Sequence, residues 1–163
     1  PKKILQTKIR DWDYAINNNL KSFILSSMLV LPGMKKNKWG RIINLTSTTA
    51  KEPAEKMVLS NVTRAGVLAF SKTLSKEIKI DGITVNSILT GGVLTDRLFY
   101  LIKKKNKRNF KTALQKITNN IPVQHIADPK EFIQMILFLS SEEASYINGA
   151  AISVDGGVSN TIF

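Results

Sequence analysis

The 163-residue chain contains no cysteine and a single histidine, His125. Disulfide staples and thiolate metal sites are therefore excluded, and one imidazole argues against a zinc site or a histidine-based triad. No apolar run reaches the roughly 18 residues of a membrane span, and the opening residues show no signal-peptide pattern. The expectation is a soluble, cytoplasmic protein with no membrane partner. Glycine is sparse before residue 91: Gly33, Gly40, Gly66 and Gly82 each stand alone, so no glycine-rich phosphate loop is present. Acidic residues are few, 12 against 24 Lys and Arg, for a net charge of +12. Such a surplus attracts polyanions, but no helix-turn-helix, zinc finger or RNA-binding aromatic motif accompanies it. Solvated basic faces account for the charge, and nucleic acid is not the expected partner.

What is present alternates between helical and strand patterns. The length and the 43% hydrophobic content fit one domain with one core. Apolar residues recur at helical period over residues 11–31, through Trp12, Ile16, Leu20, Phe23, Ile24 and Leu31. Pro32-Gly33 is expected to end this helix or kink its last turn, with a basic turn over residues 35–40. Three amides, Asn17 to Asn19, stand in a row inside it, which an Asn-rich composition also explains. Residues 42–45 read as a buried strand, residues 57–80 as a long helix apolar around much of its circumference, and residues 83–89 as a second strand. Strand, helix, strand is a βαβ unit. The two-sided helix is expected to pack on the sheet and on another subunit. Asp128-Pro129 opens a further helix, Asp as N-cap and Pro at its first position, and residues 150–154 form a last strand.

The most informative stretch is residues 44–64. Its strand runs into a hydroxyl cluster, Thr46 to Thr49, at the strand's carboxyl end, where open α/β sheets bind ligands. Ser60 and Arg64, four apart, share one face of the following helix. After the second strand comes Thr90-Gly-Gly-Val-Leu-Thr95. Its adjacent glycines permit close backbone approach to a ligand, and Thr95 equally suits the N-cap of the next helix. The lysine-rich run over residues 103–111 is a solvated face or a surface that steers anions.

In their spacing these motifs resemble the short-chain dehydrogenase/reductase family, in particular its 3-oxoacyl-carrier-protein-reductase-like members. The resemblance implies an α/β fold: the C-terminal part of a Rossmann-like, doubly wound parallel sheet with helices on both faces. It covers residues 1–163 as a partial domain that lacks the N-terminal cofactor-loop segment. The missing half implies an unpaired sheet edge, to be completed by residues preceding Pro1 or by another chain.

The family's strand-end serine matches Ser47, its tyrosine position holds Ser60, and its lysine position holds Arg64. Asn19 matches the asparagine that holds a relay water. Gly91, Val93 and Thr95 match the segment that grips the nicotinamide amide, with Thr90 in place of a proline. Tyr146, in the C-terminal phrase that ends Asp155-Gly-Gly, is expected to be a packing residue.

The implied activity is hydride transfer between NAD or NADP and a carbonyl or alcohol, with a small molecule or an acyl thioester as substrate. Ser47 would hydrogen-bond the carbonyl oxygen and Arg64 would bind the nicotinamide ribose. Homodimer or homotetramer assembly is expected. Loss of both tyrosine and lysine supports the alternative, a non-catalytic paralogue serving as a binding or subunit-partner scaffold.

Overall fold

Three strands form one parallel sheet in the order β1-β2-β3: β1 (Gly40–Ser47), β2 (Ile83–Thr90) and β3 (Ala151–Val154). The computed structural model describes residues 2–78, 82–105 and 109–162. The strands align at their carboxyl ends, where Ser47 pairs in register with Thr90 and Thr90 with Val154. Sheet alternation sends successive side chains to opposite faces, and each face gathers its own core. On one side Ile42 and Val85 pack with Ile78, Leu31, Met34 and Leu74. On the other, Ile88 and Ile43 pack with Phe132, Leu139 and Ile136. The first face is covered by α2 (Ser22–Asn37) and α3 (Val58–Glu77), the second by α6 (Pro129–Ser140). The remaining helices are α1 (Ile9–Ile16), α4 (Asp96–Lys105) and α5 (Phe110–Asn119).

The first helix departs from expectation at its amide row, and it runs on past Pro32. The amide row lies in a π-helical turn, Asn17–Lys21, between α1 and α2. Pro32 does not end the helix, which continues to Asn37. Proline forfeits one backbone bond there, but Leu31 and Met34 on either side of it are held against the first core cluster. The expected basic turn is accordingly the helix's last turn, closed by Lys38 in the left-handed conformation. The α3 helix spans Val58–Glu77, and residues 79 and 80 of the expected segment lie outside the described residues.

The buried face of α3 is smaller and more polar than its hydrophobic pattern suggests: Thr63, Val67, Ser71 and Ser75. Thr63 and Ser71 return their hydroxyls to carbonyls one turn back, at 2.7 Å each. Ser71 also accepts from the Asn44 amide on β1 at 2.8 Å. Small residues bring the helix close to the sheet, and local bonding offsets their polarity.

Buried amides fasten the third strand. Asn86, fully buried in β2, donates to the Ile147 carbonyl at 2.7 Å and accepts from the Ala150 N–H at 3.0 Å. Asn148 accepts from the Val85 N–H at 2.9 Å and donates to the Ser75 carbonyl. Gly149 adopts φ +69°, and a Cβ there would strike the Ser75 hydroxyl. The neighbouring Tyr146 is fully exposed on this chain, at 101%, so any packing by its ring would be against another subunit.

The Asp128 start is as expected, with Asp128 accepting from the Lys130 N–H and Glu131 returning a bond to the Asp128 N–H. Glu131 also meets His125 at 3.0 Å. The Val123 carbonyl and then Glu131 raise the imidazole above its ordinary pKa.

Sheet order leaves β1 at an edge, and among the described residues no strand pairs its outer side. A hollow flanks that edge on each face. One of about 410 Å³ lies between α2 and β1, lined by Phe23, Val30, Met34 and Asn44 among others. The other, about 480 Å³ and mainly apolar, is bordered by Leu45, Thr90, Val93, Leu98 and Phe132. No helix among the described residues is long and apolar enough to cross a membrane.

Candidate active site

The carboxyl ends of β1 and β2 place the two principal motifs side by side. Ser47, the last residue of β1, lies opposite Thr90, from which the Gly91–Thr95 segment departs. A short 3-10 turn, Thr48–Ala50, follows Ser47 and packs against α3, the helix that carries Ser60 and Arg64.

Ser47 is half-buried and positioned by Thr49, whose N–H and hydroxyl both donate to the Ser47 hydroxyl oxygen, at 3.2 and 3.1 Å. With its lone pairs engaged, Ser47 keeps one group to offer, its own proton. Thr46 is buried and donates to the Ile88 carbonyl at 3.3 Å. Thr90 donates to the Thr46 carbonyl at 3.0 Å. Of the hydroxyl cluster, Thr46 thus fastens strands while Ser47 and Thr49 form a presented pair.

Arg64 extends from α3 to β1, donating to the Leu45 carbonyl at 3.1 Å, with its guanidinium 5.6 Å above the Phe23 ring. Burial lowers its pKa from the ordinary value, yet a guanidinium stays charged at any working pH. Ser60, one turn earlier, is half-buried, and its carbonyl accepts from Thr63 at 3.3 Å.

Asn19 is half-buried within the π-helical turn. That turn rests on α3 through Leu20, which faces Gly66 so closely that a Cβ there would come within 3.2 Å of it. Single π turns recur at functional sites because they re-aim side chains out of the helical period.

Gly91 and Val93 have separable roles. A Cβ on Gly91 would lie 2.6 Å from the Asp155 Cα, and the Gly91 N–H donates to the Val154 carbonyl at 3.0 Å. The glycine is therefore required by the close approach of β3's end. Val93 forms a parallel bridge with Ala127, closed by Leu94 N–H donating to the Ala127 carbonyl at 2.9 Å. In a parallel bridge the flanking residues carry the bonds, so Val93's own N–H and C=O turn away from Ala127. A donor and an acceptor so displayed fit a primary carboxamide. Thr95 caps α4, its hydroxyl accepting from the Leu98 N–H at 3.3 Å.

The lysine-rich run begins on α4. Phe99 and Phe110 stack α4 against α5 with centroids 6.0 Å apart, and Arg97 and Lys104 flank Tyr100. Residues 106–108 of the run lie outside the described residues.

The structure thus sets Ser47 beside the start of the Gly91–Thr95 segment at the carboxyl end of the sheet, while Arg64 reaches β1 at the Leu45 carbonyl and the Asn19 turn docks on the same helix, α3. Among the described residues no hydrogen bond joins Ser60 to Ser47. Sequence reasoning missed Thr49 as the partner of Ser47, although the hydroxyl cluster pointed to it. It also missed Phe23 and the Leu45 carbonyl as the seat of Arg64, which no spacing rule announces.

A parallel sheet with helices on both faces, and a serine at one strand end beside a glycine-bearing turn at the next, is an α/β arrangement with both motifs at the carboxyl ends of its strands. The family model described as enoyl-(acyl carrier protein) reductase matches residues 1–159. The 3-oxoacyl-[acyl-carrier-protein] reductase of Vibrio harveyi is 32% identical over 155 residues, covering 95% of this chain and 60% of that protein. The NADPH-dependent reductase BacG of Bacillus subtilis is 36% identical over 132 residues, 79% of this chain and 51% of that one. Among solved structures, L-sorbose reductase from Gluconobacter frateurii, complexed with NADPH and L-sorbose, superposes with a TM-score of 0.94 at 32% identity. It covers 99% of this chain and 63% of its own. The chain belongs to the short-chain dehydrogenase/reductase family. It spans about half to three fifths of the length of the curated relatives it matches.

Proposed function

We propose that this chain is the C-terminal part of an NAD(P)-dependent oxidoreductase acting on a carbonyl or alcohol, a small molecule or an acyl thioester. The observation that carries this reading is the pairing of Ser47 with Thr90, from which the Gly91–Thr95 segment departs, at adjacent strand ends. A nicotinamide cofactor would supply the hydride. Val93's outward N–H and C=O would hold its carboxamide, with Gly91 and Thr95 fixing that segment, and Arg64 would lie against the ribose. Ser47 would donate its free proton as a hydrogen bond to the substrate oxygen, and Asn19 would hold a relay water. A cytoplasmic location goes with this reading.

The cofactor's pyrophosphate is normally held by amides at a helix N-terminus behind a glycine-rich loop, and this chain contains no such loop. We therefore expect the 163-residue chain to show no saturation with NADPH or NADH up to millimolar concentration in a calorimetric titration. The same chain joined to a segment carrying that loop binds in the micromolar range. Micromolar binding by the isolated chain, or none by the completed protein, would place the cofactor elsewhere and remove the reading.

Assembly into homodimers or homotetramers is supported by apolar surface on the outer helices. Leu25, Met28 and Leu29 on α2 and Val62 on α3 are exposed, Leu29 at 81%. Phe70 is half-buried, so the outer face is better tested at Leu29. Leu29→Asp is expected to halve or quarter the mass seen by light scattering without loss of helical signal. A monomeric wild type would sink the proposal.

A further inference from the structure

We propose that residues 155–160, which follow β3, form a strap that fixes the loop between Ser47 and α3, with Glu52 and Asn160 as positioning residues for that side of the site. The fastening stands on the geometry alone, whereas its consequence for turnover rests on the hydride-transfer reading.

The strap starts against the Gly91–Thr95 segment, because Asp155 is the residue that crowds Gly91. It then turns on the Asp155 carboxylate. One oxygen accepts from the Gly157 N–H at 3.0 Å, the other from the Ser159 N–H at 3.0 Å and the Ser159 hydroxyl at 2.6 Å. The same turn presses on the connection between α5 and α6. The Gly156 carbonyl accepts from the Val123 N–H at 3.3 Å, and a Cβ on Gly156 would come within 2.7 Å of Ile121 and Val123.

The strap ends on the loop. The Asn160 side-chain amide donates to one Glu52 oxygen at 2.8 Å and its backbone N–H to the other at 2.7 Å. These two bonds, the side-chain one first, hold the Glu52 carboxyl below its ordinary pKa. A two-oxygen acceptor facing two donors is a directional, charge-assisted clasp. Lys51 adds a second tie, donating to the Ala151 carbonyl of β3 at 3.0 Å. The other hydrogen bonds of residues 51–56, among the described residues, are local: the Lys51 and Glu52 N–H groups go to the Thr48 carbonyl, and the Ala54 carbonyl accepts from Met57 and Asn61. Loops with little long-range bonding open most easily, so the two distant ties decide where this one rests. It continues the turn of Thr49, whose bonds orient the Ser47 hydroxyl. One short segment therefore joins the surroundings of Ser47 to those of Gly91.

Amide hydrogen exchange in the 163-residue chain reads the fastening. Glu52→Ala is expected to speed exchange at Thr49, Lys51 and Met57 about tenfold, while Ser87 inside the sheet stays within about twofold. Glu52→Gln keeps one acceptor and gives about threefold. Ser159→Ala, at a residue bonded to Asp155 and not to Glu52, speeds the same three amides about threefold, which an isolated Glu52–Asn160 pair does not require. Unchanged loop exchange in Glu52→Ala, no effect of Ser159→Ala, or a parallel rise at Ser87 would overturn the proposal. In the completed protein with NADPH, Glu52→Ala is expected to lower kcat about tenfold with the KM for NADPH within about twofold, and Glu52→Gln to recover part of the loss. An undiminished kcat, or a loss carried by the KM for NADPH, removes the positioning role. Should exchange respond as stated while the completed wild-type protein transfers no hydride to a panel of ketones and oxoacids, the oxidoreductase reading fails and the strap stands.

Discussion

Asn86→Ala is expected to lower the unfolding free energy by about 3–5 kcal/mol, a large share of a typical domain's stability. The Asn86 side chain is fully buried and bonded at both ends, to the Ile147 carbonyl and the Ala150 N–H. Truncation strands one backbone acceptor and one backbone donor in the interior, at about 1–3 kcal/mol each, and opens a cavity besides. Asn86→Leu separates the two causes, because leucine refills volume without restoring either bond. If the orphaned groups dominate, Leu recovers no more than about 1 kcal/mol of the loss. Urea denaturation of the two variants decides this, and recovery of most of the stability by Leu would mean that packing outweighs the bonds. The damage would reach the site as well. Ser87 N–H donates to the Ala150 carbonyl and Gly91 N–H to the Val154 carbonyl, so detaching β3 loosens the segment that carries Val93.

The second large effect concerns Ser60→Tyr with Arg64→Lys, expected to raise turnover of the completed protein by about 10²–10⁴-fold, the usual worth of a general acid. A tyrosine hydroxyl, ordinarily near pKa ~10, comes toward neutrality beside a cation and can protonate a developing alkoxide. An aliphatic hydroxyl is a far weaker acid, and Arg64 cannot shed its proton. The structure adds a constraint, since the Arg64 guanidinium is engaged with Leu45 and Phe23. Its fork is tied back, where a lysine would present a single mobile ammonium. Single substitution at 60 alone should therefore recover only part of the gain. Steady-state kinetics of both single variants and the double variant test this. An unchanged rate in the double variant would mean that the pocket no longer positions a carbonyl near Ser47.

Much of the frame was legible because hydrophobic period and turn chemistry agreed with each other. The parallel βαβ unit, the Asp128-Pro129 helix start and the hydroxyls at the end of β1 all followed from local patterns. What was not legible depended on contacts between distant residues. Pro32-Gly33 suits a stop or a kink by local pattern alone, and it is the seating of Leu31 and Met34 on the sheet that carries the helix beyond it. The α3 helix was read as apolar on two sides, whereas its buried face is mostly hydroxyl-bearing, satisfied by its own carbonyls and by Asn44. Asn86 and Asn148 look like surface amides in sequence and prove to be the interior fastening of β3. At the candidate site, local pattern marks the hydroxyls at the end of β1 and the glycines after β2, and the family resemblance is what singles out Ser47 and the Gly91–Thr95 segment. The reason for Gly91 differs, though, since it is Asp155 that presses on it. Phe23 under Arg64 and Thr49 beside Ser47 needed coordinates, because neither is selected by period or by motif.

We propose that the completed protein holds a hydride-transfer site that has lost its acid. Turnover of the completed wild-type protein with NADPH across a panel of ketones and oxoacids, followed against pH, tests it most directly. The predicted result is slow turnover, about 10²–10⁴-fold below the rate the double variant reaches, with no tyrosine-like ionisation in the profile and no further loss in Ser60→Ala. Rates as high as the double variant's, abolished by Ser60→Ala, would contradict it and return the acid role to Ser60.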